Sequence, residues 1–220
     1  MVVFFADSDM DVTKQDAEEL GIKLISMPYC VDGKEIYPYI DFEEFDSKAF
    51  YDLLREGVLP STCAINEADY IKYFEPVFAE GNDIFYIHFS RAMSGTFENM
   101  DRAVKGLLEK YPGRRFYEID TKGITTISYA LFREVINLYR GGMSPEELVE
   151  WGKTGVDSYA MYFFADDLKF FKRSGRVGGL AATFGTILGV RPIIYMSPEG
   201  KMESIGKEKG RAKAIEKLFA

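Results

Sequence analysis

Residues 83–111, DIFYIHFSRAMSGTFENMDRAVKGLLEKY, join a short apolar run to an amphipathic segment through a turn of small residues. The run "DIFYIHFS" predicts a buried strand, because a continuous apolar run bounded by polar residues is typical of a strand covered on both faces. Apolar side chains then recur at helical spacing, at Met100, Val104, Leu107 and Tyr111. A buried strand that leads into a helix is the repeating unit of a parallel α/β sheet.

The same alternation extends in both directions along the chain. Apolar runs at 2–6 and 114–120 predict further strands, and periodic segments at 66–81, 128–142 and 144–155 predict helices. The last of these begins with a Ser-Pro-Glu-Glu capping box. We therefore expect a doubly wound parallel α/β domain over residues 1–157.

The pattern changes after Asp157. The remaining segments are an aromatic strand, a glycine-rich basic turn, the helix "LAATFGTILG", a hairpin and a last helix. This order predicts a second, α+β domain over residues 158–220. The last helix reaches Ala220 without a C-cap, so we expect this second domain to be incomplete.

Composition narrows the class of protein. The 220 residues carry a net charge of −8, which disfavours binding to the phosphate backbone of nucleic acid. The two cysteines, Cys30 and Cys63, do not make a disulfide framework. The first residues lack the basic start of a signal peptide, and no apolar run is long enough to span a membrane. We expect a cytoplasmic protein with no stable membrane insertion.

Hydroxyl side chains surround the turn before the predicted helix at 96. Ser94, Gly95 and Thr96 stand where the first backbone N–H groups of a helix are unpaired, and such a position suits a carboxylate or a phosphate. Ordinary N-capping explains the same residues equally well. Ser61 and Thr62, in "LPSTCAI", read as a simple turn unless that loop lies beside Ser94.

A cationic segment occupies residues 168–179, "LKFFKRSGRVGG". Its glycines do not fit a dinucleotide-binding loop, so it is either a solvated turn or a surface that steers an acidic partner or a phosphate. The single histidine, His88, is expected in the core. The spacing of histidine and cysteine offers neither a catalytic triad nor a metal site.

Three aspartates follow the first strand in "FFADSDMDVT", residues 4–13. Read from Asp9, the segment matches the Asp-x-Asp-x-Thr nucleophile loop of a Mg²⁺-dependent phosphohydrolase. The register opposes this interpretation, because the residue at the strand end is Asp7, and the fifth residue counted from it is Asp11. A phosphohydrolase that uses Asp7, Asp9 or Asp11 remains an alternative.

Five segments follow one another along the chain: "ADSDMD", "LPSTCAI", "FSRAMSGT", "DDLKFFKRSGR" and "VRPII". In these segments and in their order, the whole chain resembles the DegV family of bacterial fatty-acid-binding proteins. The resemblance implies that a long-chain fatty acid lies between the two domains. It also implies that the carboxylate is presented to a separate ATP-dependent fatty acid kinase, whose acyl phosphate enters phospholipid synthesis. The protein itself would then have no catalytic residue, metal or cofactor. A second alternative keeps this fold with another small anionic ligand.

The resemblance also assigns site residues. Ser94, with the Gly95 backbone, matches the carboxylate binder of the family, and Thr62 matches the threonine of its Thr-Ser-Gln-Pro stretch. Arg91 stands where the family usually has a second serine, and it is a cation in reach of an anionic head group. The full ligand-binding set expected is Ser61, Thr62, Arg91, Ser94, Gly95 and Thr96.

Basic and apolar residues of the second domain complete the expected site. By resemblance, Arg173, Arg176 and Arg211 serve the head group or the kinase contact. The apolar residues expected to line the acyl tunnel are Phe184, Ile187 and Leu188. One departure from the family follows Thr62, where Cys63-Ala64-Ile65 replaces the usual Ser-Gln-Pro.

Overall fold

The computed structural model describes residues 1–39, 45–166, 176–178 and 189–219, with the backbone alone at 177 and 178. One of its two four-stranded sheets is parallel and consists of β1 (Val2–Asp7), β2 (Lys23–Ile25), β6 (Asp83–His88) and β7 (Phe116–Asp120). Its strands have the order β2-β1-β6-β7. This sheet confirms the predicted parallel α/β architecture.

Helices cover both faces of this sheet. Because successive side chains of a strand point to opposite faces, Phe4 and Phe5 of β1 lie on different sides. The Phe4 ring lies 4.6 Å from that of Tyr139 in α5 (Thr125–Arg140), and the Phe5 ring lies 5.3 Å from that of Phe74 in α3 (Glu67–Ala79). The helices described are α1 (Lys14–Leu20), α2 (Ser47–Arg55), α3 (Glu67–Ala79), α4 (Thr96–Lys110), α5 (Thr125–Arg140), α6 (Pro145–Gly155) and α7 (Arg211–Leu218).

Side-chain caps explain where several helices begin. Thr13 and Asp16 form a capping box at the start of α1, and Ser144 and Glu147 form the predicted one at the start of α6. The Asn66 side chain accepts from the backbone N–H of Asp69 and caps α3. None of the helices in the described part of the chain is long and apolar enough to cross a membrane.

A small antiparallel sheet extends from the end of β2. It has the strand order β4-β3-β5 and consists of β3 (Tyr29–Val31), β4 (Lys34–Ile36) and β5 (Ser61–Thr62). A disulfide joins Cys30 and Cys63 here, with the two Cα atoms 6.3 Å apart. The sequence predicts no disulfide framework from two cysteines, whereas the structure joins these two in a single bond. They are 33 residues apart in sequence, and only the pairing of β3 with β5 brings them together.

A second sheet of four strands has the order β8-β10-β11-β9. Its strands are β8 (Tyr162–Phe164), β9 (Val177–Gly178), β10 (Val190–Met196) and β11 (Met202–Lys209). The last three described elements are the predicted hairpin, β10 and β11, and the helix α7. This mixed sheet agrees with an α+β unit, whereas the boundary at 157 and the incompleteness of the unit stay predictions.

Candidate functional site

A cavity of about 410 Å³ lies where the carboxyl ends of the parallel strands meet the second sheet. In open α/β sheets this edge is where ligands bind. The lining residues are Ser8, Asp9, Asp11, Met27, Pro28, Thr62, Cys63, Phe89, Met93, Ser94, Ile124, Thr125, Arg176 and Met202. They come from the ends of β1 and β6, from the β5 segment, from the start of α5 and from the second sheet.

The cavity wall is apolar over much of its area and polar at a few points. The apolar surface comes from the side of both sheets and is supplied by Met27, Phe89, Met93, Ile124 and Met202. The polar groups are hydroxyls, carboxylates and one guanidinium. A largely apolar cavity with a few placed polar groups is the usual form of a small-molecule site.

Two helices begin beside this cavity without a side-chain cap. The N-cap of α4 is Gly95, next to Ser94, and the N-cap of α5 is Ile124. The Ser94 hydroxyl accepts from the first backbone N–H group of α4, that of Thr96, and the positive end of each helix dipole still favours an anion here. The backbone is also strained here, because Asp11 and Thr125 have φ values of 56° and 49°, in a region that non-glycine residues avoid. Strain of this kind concentrates at functional sites.

Ser94 and Thr62, the two residues expected to hold a carboxylate, line the same cavity. The loop that carries Thr62 thus lies beside Ser94, which was the condition for treating its hydroxyls as more than a turn. The Ser94 hydroxyl accepts from the backbone N–H of Thr96 at 3.2 Å, which leaves its own proton available as a donor. Thr62 is exposed in β5.

Arg91 does not face the cavity. Its guanidinium lies 2.5 Å from a carboxylate oxygen of Asp101 and 3.3 Å from one of Glu118, and it stacks over the ring of Phe97. These acidic partners on α4 and β7 draw the side chain away from Ser94. The structure therefore does not bring Arg91 into the cavity lining, and a contact of Arg91 with the head group stays a prediction.

Thr96 and Ser61 are also placed outside the cavity lining. The Thr96 side chain is fully buried, where its hydroxyl accepts from the backbone N–H of Ile65 at 3.1 Å and lies 3.1 Å from the hydroxyl of Tyr70. Ser61 is exposed and pairs with Cys30 in the small sheet. Gly95 contributes only backbone, as the N-cap of α4.

Two of the three arginines lie among the described residues. Arg176 is exposed and lines the cavity, and its role at the head group stays a prediction. Arg211 lies 3.3 Å from the carboxylate of Asp166, which also binds Arg191 at 2.7 Å. The expectations for Arg173, and for the tunnel residues Phe184, Ile187 and Leu188, fall outside the described residues.

The carboxylate of Asp7 is buried and hydrogen-bonded by neighbouring groups of the protein. Its buried carboxylate accepts from the backbone N–H of Asp9 at 3.0 Å, the hydroxyl of Tyr86 at 3.0 Å and the backbone N–H of Phe89 at 3.1 Å. Burial raises the pKa of Asp7 to about 6, although the charge of His88 and these hydrogen bonds oppose the rise. A carboxylate held in this way is poorly placed to attack a phosphate ester.

Asp9 and Asp11 line the cavity instead, a role that the sequence does not reveal because the strand register identifies only Asp7. Asp9 reaches solvent through the cavity, yet surrounding protein desolvates it and raises its pKa to about 7. The charges of Asp7 and Asp11 add to this rise, and Arg176 opposes it. Desolvation also raises the pKa of Asp11.

His88 lies in the core, as predicted. Its side chain is fully buried, its ring centroid lies 4.4 Å from that of Phe97, and its Nδ1 lies 2.7 Å from the carbonyl oxygen of Phe89. It does not line the cavity.

Comparison with known sequences identifies one family. The model of the family described as "Uncharacterised protein, DegV family" matches residues 1–220. A DegV domain-containing protein of Clostridium perfringens (strain 13 / Type A) is 33% identical over 217 residues, which are 99% of this chain and 74% of that relative. The DegV domain-containing protein YteA of Lactococcus lactis is 26% identical over 213 residues, covering 97% of this chain and 73% of YteA.

Solved structures share the fold. A stearic-acid-binding protein from Eubacterium ventriosum matches with a TM-score of 0.85 and 22% identity, over 99% of this chain and 74% of its own. A DegV family protein from Thermus thermophilus, described by its fatty acid binding, matches with a TM-score of 0.83 and 24% identity, over 99% and 75% of the two chains. At these identities the likeness establishes the architecture of this chain.

Proposed function

The chain belongs to the DegV family, and from this premise we propose that it binds a long-chain fatty acid in the cavity between its two larger sheets. The carboxylate lies at Thr62 and Ser94, and the acyl chain lies against the apolar wall. Fatty acid binding by structural neighbours from Eubacterium ventriosum and Thermus thermophilus supports this assignment.

The observation that carries the proposal is the convergence of two hydroxyls and the N-terminal end of α4 on one apolar cavity. Thr62 and Ser94 are both in its lining, and the N-cap of α4 follows Ser94 directly. Hydroxyl and backbone N–H donors suit a carboxylate, and the N-terminal end of a helix dipole favours its negative charge. The methionine and phenylalanine side chains suit a hydrocarbon chain.

The apolar wall and the hydroxyls contribute different amounts to the free energy of binding. Burial of roughly a dozen methylenes at about 0.8 kcal/mol each offers about 10 kcal/mol before the costs of ordering are subtracted. A hydrogen bond to the carboxylate offers only about 1.5–3 kcal/mol. The apolar wall therefore sets the affinity, and the hydroxyls set the orientation of the ligand.

We further propose that the protein acts in the cytoplasm as the non-catalytic, substrate-presenting subunit of a fatty acid kinase. Thr62 and Arg176 are exposed at the cavity, so a carboxylate held there remains accessible to a second protein. The internal hydrogen bonds of Asp7 support a structural role for the first aspartate and oppose the phosphohydrolase alternative.

The direct test is to denature the purified protein, extract it with organic solvent and analyse the extract by mass spectrometry. We expect one long-chain fatty acid per chain, and delipidated protein should bind added stearic acid and gain thermal stability. An empty extract with no thermal shift on addition of stearic acid would contradict the proposal.

An activity assay distinguishes a non-catalytic subunit of a fatty acid kinase from a phosphohydrolase. With ATP and Mg²⁺ alone the loaded protein should form no acyl phosphate, detected as its hydroxamate, whereas addition of a bacterial fatty acid kinase subunit should produce it. Hydrolysis of p-nitrophenyl phosphate that is lost in Asp7→Asn, Asp9→Asn and Asp11→Asn variants would instead establish the phosphohydrolase.

A further inference from the structure

The disulfide between Cys30 and Cys63 lies at the rim of the cavity. Cys63 is a lining residue, and it follows Thr62 directly in the chain. Both cysteines are half-buried rather than enclosed, so a small thiol reagent reaches them. Their Cα separation of 6.3 Å lies within the range that a disulfide spans without backbone movement.

The residues next to this bond have little other support, although the end of the segment is anchored, because Ile65 is buried and its backbone hydrogen-bonds to Thr96 and Asn99. β5 consists of Ser61 and Thr62 alone, paired with Cys30 and Tyr29 of β3. Beyond that short ladder, the backbone N–H of Cys63 donates to the carbonyl of Pro28 at 3.3 Å. Short, exposed backbone pairing of this kind opens easily, and a covalent link restricts such opening.

We propose that Cys30 and Cys63 form a reversible oxidation site, and that their disulfide orders Thr62 at the cavity rim. When the bond is intact, β5 stays on β3 and the Thr62 hydroxyl keeps its place beside the cavity. When the bond is reduced, the 59–65 segment gains freedom, and a ligand must order it before Thr62 binds. The effect on affinity rests on the fatty acid binding proposed above, whereas the effect on the segment does not.

The chemistry requires a low-molecular-weight disulfide as the oxidant. The thiolate of one cysteine attacks this disulfide, forms a mixed disulfide and releases one small thiolate. The thiolate of the second cysteine then attacks the protein sulfur, forms the Cys30–Cys63 bond and releases the second small thiolate. The two protein thiols lose two protons and two electrons, and the small disulfide gains them as two thiols.

A metal site is the competing use of the same residues. Glu35 stands opposite Cys30 in the small sheet, and one ligand atom from each of Cys30, Glu35 and Cys63 lies within 4.8 Å of the others. Thiolates and a carboxylate are ligands for Zn²⁺. The two uses exclude each other, because the disulfide between Cys30 and Cys63 leaves no thiolate to bind a metal.

The test compares the full chain after equilibration with oxidised glutathione and after reduction with dithiothreitol. Alkylation with iodoacetamide and mass spectrometry count the free thiols, hydrogen exchange reports on residues 59–65, and a titration measures the Kd for stearic acid. The Cys30→Ser/Cys63→Ser double variant, treated in both ways, is the matched control.

We expect no alkylation of the oxidised chain, faster exchange at 59–65 after reduction, and a Kd about tenfold weaker in the reduced chain, the equivalent of roughly one hydrogen bond. The double variant should behave as the reduced chain under both treatments. Free thiols after oxidised glutathione, or exchange at 59–65 that does not change on reduction, would overturn the proposal.

Two further outcomes are informative. Uptake of one Zn²⁺ per reduced chain that prevents disulfide formation would overturn the oxidation site in favour of a metal site. A chain that fails to bind stearic acid in either state would contradict the proposed function alone, since the change in exchange at 59–65 still decides whether the disulfide orders the rim.

Discussion

The hydroxyl of Ser90 donates a hydrogen bond of 2.6 Å to the carbonyl of Gly200, 110 residues further along the chain. Ser90 follows β6 of the parallel sheet, and Gly200 lies in the turn between β10 and β11 of the second sheet. Gly200 has a φ of +75°, and a Cβ built on it would lie 2.1 Å from the Ser90 Oγ and 3.3 Å from the Lys122 Cα. Only glycine fits this contact, which brings the second sheet against the cavity.

Replacement of Gly200 by alanine is therefore expected to weaken the contact between the two sheets. The positive φ and the steric conflict with Ser90 together should lower the free energy of unfolding by about 2 kcal/mol, measured by urea denaturation. Gly206→Ala is the matched control, because Gly206 lies in β11 and its Cβ would meet nothing within 4 Å. Equal stability of the two variants would show that the Ser90–Gly200 contact does not hold the sheets together.

The sequence predicts the parallel sheet because burial on both faces leaves a continuous apolar signature in β1 and β6. It does not predict the Ser90–Gly200 contact, since that contact depends on how a distant hairpin turn meets the end of β6. The disulfide escapes prediction for a similar reason, as Cys30 and Cys63 become neighbours only through the pairing of β3 with β5.

In the candidate site, too, some residues were predictable from the sequence and others were not. The local pattern predicts a site at Ser94, because a helix begins there after a buried strand, whereas Thr62 is assigned by the family resemblance alone, and both line the cavity. Spacing alone cannot give the direction of a side chain in a short turn. Arg91 begins a 3₁₀ turn and points to Asp101 and Glu118, while Thr96 points into the core.

Removal of a protein hydroxyl that is proposed to bind the carboxylate tests the orientation of the ligand. Ser94→Ala and Thr62→Val should each weaken stearic acid binding about tenfold, the loss of one hydrogen bond to a carboxylate. The preference among acyl chain lengths should not change, because the apolar wall is intact. Titration of each variant with fatty acids of increasing length measures both quantities.

The matched control for these variants is Ser61→Ala. Ser61 is exposed in the same strand as Thr62 but does not line the cavity, so its removal should leave the Kd unchanged. An equal loss of affinity in Ser61→Ala would mean that disturbance of β5, rather than the Thr62 hydroxyl, weakens binding.

Asp9 should make stability depend on pH. Its pKa in the folded chain is raised from 3.8 to about 7, so the folded state holds a proton that the unfolded chain releases at lower pH. The free energy of unfolding should therefore decline as the pH rises through this window and stay level above it. Asp9→Asn should gain stability over the native sequence at about pH 8 and gain less at about pH 5. A constant difference between the two proteins at both pH values would contradict this interpretation.

The same group should govern ligand affinity. Above about pH 7 the ionised Asp9 repels a bound carboxylate, so stearic acid should bind more weakly at about pH 8 than at about pH 6. Asp9→Asn should remove much of this difference, and Asp11, which shares the cavity and whose pKa desolvation also raises, should retain the remainder. Titrations of both proteins at the two pH values measure the effect, which would be refuted by an unchanged pH dependence in the variant.

Thr96 separates a structural role from a binding role. Thr96→Val keeps the shape of the side chain but deprives the buried N–H of Ile65 and the hydroxyl of Tyr70 of their shared partner. We expect the free energy of unfolding to fall by about 2 kcal/mol, with an unchanged Kd for stearic acid at a temperature where the variant is folded. Thr96→Ser, which retains the hydroxyl, should restore most of the stability. If Thr96→Val instead keeps its stability and loses affinity, the hydroxyl serves the ligand and the helix start at Thr96 rearranges when the fatty acid binds.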